Sequence, residues 1–204
     1  MGEGGQPLGR ISGTEDRDRV LIRDVAEGDK TAMRAVYEAH AAAVHRFVSV
    51  RLRDQFEAAD IVHETMLCVW RDAARFKGHG SVRSWILALA RHKVIDHLRK
   101  HSRTEICEPD ERVPADDPHA DDVIAAAQDA RRVRACVAKL PAAQRAVVHL
   151  AFFEDLSYAE ISAIEGIPEG TVKTRIFHAK KCLLRNLSRS SATLNADHRR
   201  PNPA

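Results

Sequence analysis

The sequence has 204 residues, which is enough for one ordinary domain or two small ones. Apolar residues make up 44% and aromatic residues 5%, a composition that favours helices around a buried core over a β-rich fold. The net charge of +3 is too small to identify a partner, and no apolar run approaches the roughly 18–20 residues that cross a bilayer.

The start of the chain, residues 1–17, is Gly-rich and polar, which predicts a disordered N-terminal tail. It has no basic stretch followed by an apolar one, so we expect no secretory leader and a cytoplasmic protein. The four cysteines lie far apart and form no CxxC pair, which argues against a disulfide framework or a cysteine zinc site.

Helical patterns fill a first module, residues 18–104. Asp29 is placed to cap one helix, and a second helix is predicted from about Glu57 to Phe76. The second helix has an apolar stripe that should face the core, formed by Ile61, Val62, Thr65, Val69, Trp70 and Ala73. Its opposite face is polar and carries Asp60, His63, Glu64 and Arg71.

The sequence shows no pattern typical of an enzyme. The pair His63-Glu64 resembles the start of a metalloprotease motif, but that motif needs a second histidine where this chain has Leu67. No catalytic triad spacing and no phosphate-binding Gly loop stands out either. We therefore predict no metal, no cofactor and no catalysis.

The segment KGHGS ends the second helix, and a third helix, SVRSWILALARHKVIDHLRK, follows. Gly78 and Gly80 permit unusual backbone angles, and Ser81 can cap the third helix. That helix is apolar around most of its circumference, which predicts a central position in a bundle. One of its faces differs and carries Trp85, His92, Asp96 and Arg99. This face could stack on an unpaired base, or Trp85 could be a core residue beside a solvated surface.

A strongly acidic stretch, EICEPDERVPADDPHADD, occupies residues 105–122. It holds eight acidic residues against one basic residue, Arg112, and its three prolines are typical of a flexible, solvated linker. Each module beside it ends in a basic helix. One such helix would suggest only a solvated surface, but two in one chain favour nucleic acid as a partner.

A second module is predicted at residues 123–187, followed by a disordered C-terminal tail at 188–204. Ser157 can cap a short helix, Gly166 can end it, and Pro168 enforces a tight turn. A longer helix with a basic N-terminal half begins near Glu169. This order of helix, Gly-containing turn and helix is typical of a helix-turn-helix.

The second helix of this motif should expose polar side chains near its start, at Glu169, Gly170, Thr171, Lys173, Thr174, Arg175 and His178. Threonine hydroxyls, helix N-terminal amides and lysine can bind phosphates. Arg175 is long enough to read a guanine edge in the major groove. The alternative is an amphipathic helical hairpin with a solvated basic face.

Three stretches together resemble the extracytoplasmic-function (ECF) group of bacterial sigma factors, the specificity subunits of RNA polymerase. ADIVHETMLCVWRDAARFKG is similar to the polymerase-binding helix of sigma region 2, and SVRSWILALARHKVIDHLRK to its promoter-melting helix. LPAAQRAVVHLAFFEDLSYAEISAIEGIPEGTVKTRIFHAKKCL is similar to sigma region 4. The resemblance implies an all-α fold of two small helical domains, the region 2 bundle and the region 4 helix-turn-helix, joined by the acidic linker.

The resemblance implies a role for each exposed face. Core RNA polymerase would be bound by Asp60, His63, Glu64 and Arg71. The melted non-template strand of the −10 element would be bound by Lys77, His79, Ser81, Trp85, His92, Lys93, Asp96 and Arg99. The −35 duplex would be bound by Glu169, Gly170, Thr171, Lys173, Thr174, Arg175, His178 and Lys181. The family often has Ala-Arg-Asn where this chain has Ala90-Arg91-His92, and imidazole lacks the paired donor and acceptor of a carboxamide.

The implied function is promoter recognition and melting as a subunit of RNA polymerase. The implied partners are core RNA polymerase, promoter DNA and an anti-sigma factor, with no insertion into a membrane. The main alternative is a stand-alone helix-turn-helix regulator, which would bind duplex DNA alone and would not need the polar face of the first module.

Overall fold

The computed structural model describes residues 11–52, 54–101 and 133–197. In these ranges the chain forms helices and no strands, which confirms the predicted all-α class. The predicted acidic linker at 105–122 lies outside the described residues, as does the start of the second module at 123–132. None of the helices in the described part of the chain is long and apolar enough to cross a membrane.

The first module consists of four helices with one 3-10 turn: α1 (Ile11–Ala26), α2 (Lys30–Ser49), α3 (Gln55–Asp72), the turn Ala73–Arg75 and α4 (Val82–His101). Asp29 caps α2 as predicted, because its carboxylate accepts hydrogen bonds from the backbone N–H groups of Thr31 and Ala32. Asp54 caps α3 in the same way. α4 packs against α2 and α3 and also against the second module, which confirms its predicted central position.

The second module contains a helical segment at 133–138 and the helices α5 (Ala142–Phe152), α6 (Tyr158–Glu165) and α7 (Glu169–Asp197). Ser157 and Glu160 form a capping box at the start of α6. Gly166 ends α6 in the left-handed conformation, at φ 62°, and the Ser162 hydroxyl donates to the carbonyl of Ile167 at 2.6 Å. These contacts set the turn between α6 and α7 that the sequence predicts.

Both predicted tails are partly helical instead. Residues 11–17 belong to α1, which the tertiary structure holds in place because Ile22 and Val25 are buried and Asp18 lies 3.0 Å from the imidazole of His40. Residues 188–197 continue α7. They contain neither Gly nor Pro, so nothing in this stretch of sequence ends the helix.

The two modules share one apolar core. The buried side chains of α5, α6 and α7, such as Leu150, Ile161 and Val172, belong to the same cluster as Phe47 of α2 and Leu87 of α4. α6 lies directly against α4. The second module is therefore docked on the first through apolar burial, which favours association without fixing a single geometry.

Ion pairs fix the geometry of this docking. The Glu154 carboxylate, in the connection between α5 and α6, is fully buried and accepts from Arg46 Nε at 3.0 Å and from Arg83 Nη2. At the other end of α6, the Glu165 carboxylate pairs with Arg51, and its backbone carbonyl accepts from Arg91 at 2.9 Å. The second module contributes the acids and the first module the guanidiniums, so the two surfaces are complementary in charge.

His149 lies beside this buried carboxylate and titrates abnormally. Burial lowers the pKa of His149 from 6.5 to about 4, although the Glu154 carboxylate opposes this shift. The guanidiniums of Arg51, Arg46 and Arg83 add to the lowering. The imidazole is therefore neutral in the folded protein at neutral pH.

This shift predicts a loss of stability in acid. An unfolded chain binds a proton at His149 near pH 6.5, whereas the folded chain does so only near pH 4, so acidification between these values favours unfolding. We expect the contribution of His149 to approach about 1.4 kcal/mol per pH unit inside this window. Denaturant unfolding of the wild type and of His149→Gln across pH 4–7 measures this contribution. The slope of the free energy of unfolding against pH should be shallower in the variant. Equal slopes would contradict the assignment.

Candidate polymerase and nucleic-acid interfaces

The loop at residues 77–81 is held by α1. Gly78 and Gly80 have φ of 75° and 77°, which side chains rarely tolerate. Arg19 donates to the carbonyls of both glycines, at 3.3 Å to Gly78 and 2.8 Å to Gly80. Glu15 pairs with Arg19 at 3.1 Å and accepts from the backbone N–H of Val82 at 3.1 Å, at the first turn of α4. Sequence reasoning missed Glu15 and Arg19, because no local pattern links them to a loop some sixty residues away.

The residues predicted for the −10 strand fall into two groups. Lys77, His79, His92, Asp96 and Arg99 are exposed along the loop and α4, with Asp96 and Arg99 4.0 Å apart. The other three are engaged within the protein. Trp85 is half-buried against Phe76, with ring centroids 5.3 Å apart, as a core residue would be. Lys93 lies 3.1 Å from the Glu64 carboxylate, which raises the pKa of its ammonium group.

Ser81 connects this surface to the second module. Its hydroxyl donates to the Glu160 carboxylate, and its backbone N–H lies 3.4 Å from the same oxygen. The hydrogen bonds from Ser81 and Ser157 lower the pKa of Glu160 against the opposing effect of burial. In the docked arrangement, Ser81 is thus occupied by a carboxylate.

The predicted polymerase-binding residues share one surface of α3. Asp60, His63, Glu64 and Arg71 are all exposed, and His63 lies at the edge of an apolar groove of about 390 Å³ between α2 and α3. The groove is lined by Lys30, Met33, Tyr37, His63, Met66, Leu67 and Trp70.

The prediction that Trp70 belongs to the core is wrong, because its side chain is 37% exposed. Positions 63, 67 and 70 recur at helical spacing beside the buried stripe and face outward. Leu67 and Tyr37 are exposed with it, at 54% and 42%. An apolar stripe in a sequence does not reveal which of its members lies at the edge of the stripe.

The helix-turn-helix presents its predicted residues at the start of α7. Glu169, Gly170, Lys173, Thr174, His178 and Lys181 are exposed, whereas Thr171 and Arg175 are half-buried. Val172 and Ile176 hold the opposite face of the helix in the core. The Thr174 hydroxyl donates to the carbonyl of Gly170 at 2.9 Å. In this rotamer the hydroxyl hydrogen is not available to a phosphate, because the Thr174 oxygen can then only accept hydrogen bonds.

These surfaces define a two-module helical protein that carries a helix-turn-helix and a separate, exposed and partly apolar face on α3. The family model described as "Sigma-70 region 2" matches residues 36–104, and the model "Sigma-70, region 4" matches residues 130–183. The ECF RNA polymerase sigma factor RpoE of Cereibacter sphaeroides is 33% identical over 183 residues, which cover 86% of this chain and 99% of that protein. The chain therefore belongs to the ECF group of sigma-70 factors.

Solved structures show the same fold. CnrH, in its complex with the cytosolic domain of CnrY, is 23% identical with a TM-score of 0.59, over 89% of this chain and 99% of CnrH. The sigma factor RpoE of Bartonella quintana, in its complex with the anti-sigma factor NepR, is 21% identical with a TM-score of 0.59, over 76% of this chain and 96% of that one. As a sigma factor, the protein binds core RNA polymerase and directs promoter recognition and DNA melting.

The contacts of Arg19 predict that this side chain orders the loop at 77–81. Arg19→Ala removes two hydrogen bonds from a charged donor and also leaves Glu15 without its ion pair, so the loop and the first turn of α4 should open more often. We expect amide hydrogen exchange of Val82 to become at least about tenfold faster. Arg23→Ala, at an exposed position of the same helix, is the control and should leave this rate unchanged. An unchanged rate in Arg19→Ala would refute the role.

Proposed function

We propose that the polymerase-docking surface combines the polar face of α3 with the apolar groove beside it. Protein interfaces commonly place apolar and aromatic anchors at the centre and charged residues at the rim. Leu67 and Trp70 provide such anchors, and Asp60, Glu64 and Arg71 lie on the same exposed side of the helix. This continuity of an aromatic anchor with a charged rim is the observation that carries the proposal.

The loop at 77–81 and the exposed face of α4 are proposed to bind the non-template strand of the −10 element. The exposed cations Lys77 and Arg99 suit phosphates, and the glycines bring backbone to the surface of the loop. Because Glu160 occupies Ser81 in the docked arrangement, use of Ser81 by DNA requires the second module to move away. In this proposal, region 2 spans 18–104 and region 4 spans 123–187.

The start of α7 is proposed to enter the major groove of the −35 element. Lys173 and the helix N-terminus would bind phosphates, as would Thr174 once its hydroxyl rotates away from the Gly170 carbonyl, and these contacts would set the register without reading sequence. Arg175 is proposed to contact a base edge, and its half-buried position limits the directions that its guanidinium can take.

We infer that the protein works in the cytoplasm with RNA polymerase and catalyses no reaction itself. We also infer an anti-sigma factor as a partner, because the structure of Bartonella quintana RpoE, which has the same fold, was determined with one. Run-off transcription with core polymerase on a library of −35 and −10 sequences tests the function. A gel shift that is equally strong with and without core polymerase would instead favour a stand-alone regulator.

The docking proposal predicts a large effect at Trp70. Trp70→Ala removes a central aromatic anchor and should weaken binding to core polymerase at least about tenfold. Adding Asp60→Arg to this variant should weaken binding further, because it reverses a rim charge. Phe56→Ala is the matched control, because Phe56 is an aromatic residue on the same helix that is 86% exposed and lies outside the groove. Binding is measured by fluorescence anisotropy of the labelled sigma factor. Equal affinity of the Trp70 and Phe56 variants would refute this surface.

The −35 proposal predicts that two substitutions of Arg175 have different effects on affinity and on sequence preference. Arg175→Ala should cost about 1–3 kcal/mol of affinity for the preferred −35 sequence. Arg175→Lys should keep binding to unrelated duplexes but lose preference among sequences, because the ammonium group of lysine lacks the planar fork with which a guanidinium contacts a guanine edge. The control is Arg185→Ala, which removes an exposed cation further along α7. Transcription from matched and altered −35 sequences measures the preference, and an unaltered preference in Arg175→Lys would contradict the assignment.

A further inference from the structure

Three side chains meet where the start of α3 passes the end of α4. Glu57 lies in the first turn of α3, and His97 and His101 are one turn apart on α4. His97 Nε2 is 3.1 Å from one Glu57 carboxylate oxygen, and His101 Nε2 is 3.7 Å from the other. The two imidazole rings are stacked with centroids 4.1 Å apart.

The hydrogen bonding of His101 leaves a lone pair facing the carboxylate. His101 Nδ1 is 3.1 Å from the backbone carbonyl of His97, and a carbonyl can only accept, so Nδ1 carries the proton. Nε2 of a neutral His101 therefore has no hydrogen, yet it points toward Glu57. A lone pair facing a carboxylate is repulsive, and either a cation between them or a second proton on the imidazole relieves this repulsion. A backbone carbonyl that fixes the tautomer in this way is the usual support of a histidine that binds a metal.

We propose that Glu57, His97 and His101 bind a divalent transition-metal ion of the zinc type. Zinc binds imidazole nitrogen and carboxylate oxygen at about 2.0–2.2 Å in tetrahedral geometry, which places ligand atoms roughly 3.3 Å apart. His97 Nε2 and His101 Nε2 lie 3.1 and 3.7 Å from different oxygens of the Glu57 carboxylate, close to this value, and one ligand atom of each residue lies within 4.8 Å of the other two. Small changes in side-chain torsion bring them onto one ion.

The environment leaves the site open on one side. His97 is mostly buried at 19% exposure, which fixes one ligand, whereas His101 is 56% exposed and Glu57 36%. Water can therefore complete the coordination. Two neutral imidazoles and one carboxylate suit zinc, nickel or copper better than magnesium or calcium, which prefer oxygen ligands. A bound ion would clamp α3, which carries the polymerase-docking surface, to the end of α4.

Zinc binding by the full-length protein tests the site. The protein is stripped with EDTA, kept with a thiol reductant and titrated with Zn²⁺ against a chromogenic chelator. We expect one equivalent to bind, and affinity to fall at least about tenfold in Glu57→Gln and in His97→Gln. At a hundredfold excess over the wild-type Kd, zinc should raise the unfolding midpoint of the wild type by roughly 5–10 °C and that of Glu57→Gln by at most about half as much.

Two controls separate this site from other ligands in the chain. His45→Gln removes an exposed histidine outside the cluster and should bind zinc as the wild type does. Co²⁺ substituted for zinc should give a spectrum without thiolate charge-transfer bands, because no cysteine belongs to the site. If Glu57→Gln fails to fold, His101→Gln carries the test, since its side chain is more than half exposed. The proposal is overturned if the wild type binds less than one equivalent of zinc, or if the cluster variants bind zinc as tightly as the wild type. Thiolate bands in the Co²⁺ spectrum would also overturn it.

Discussion

The position of the second module depends on one buried carboxylate. Glu154 has no contact with solvent, and a charge in that position is tolerated only while Arg46 and Arg83 neutralise it. Loss of one partner from such a buried pair typically costs roughly 3–5 kcal/mol, which is comparable to much of the stability of a small domain. The two arginines come from α2 and α4, so the carboxylate ties the connection before α6 to both helices.

The same contacts relate the docking of the modules to the surfaces that are proposed to bind DNA. Arg83 and Arg91 lie on α4, the helix proposed to bind the −10 strand, and both are engaged by groups of the second module. Guanidinium forks bind carboxylates and phosphates with the same geometry. The acids of the second module thus occupy cations of the first, and the apolar core between the modules holds them there.

Local signals predicted local structure well. The caps at Asp29 and Ser157, and the turn at Gly166, each depend on residues within a few positions of one another, and all are present in the structure. The roles assigned to the exposed faces of α3, α4 and α7 stay predictions. Features that depend on long-range packing could not be predicted from the sequence. They include the helical residues of both tails and the exposure of Trp70. They also include the buried pair of Asp18 with His40 and the cluster of Glu57 with two histidines some forty residues later. Propensity and periodicity carry no information on which distant side chains will meet.

The contacts of α1 have a consequence for shortened versions of the protein. The match to sigma region 2 begins at residue 36, so a fragment cut at that boundary would keep α3, α4 and the glycine loop but lose Glu15 and Arg19. Such a fragment would present the loop without the brace that shapes it. If such a fragment bound single-stranded DNA weakly, the result would reflect the missing N-terminal helix and would not measure the proposed DNA contacts of the loop alone.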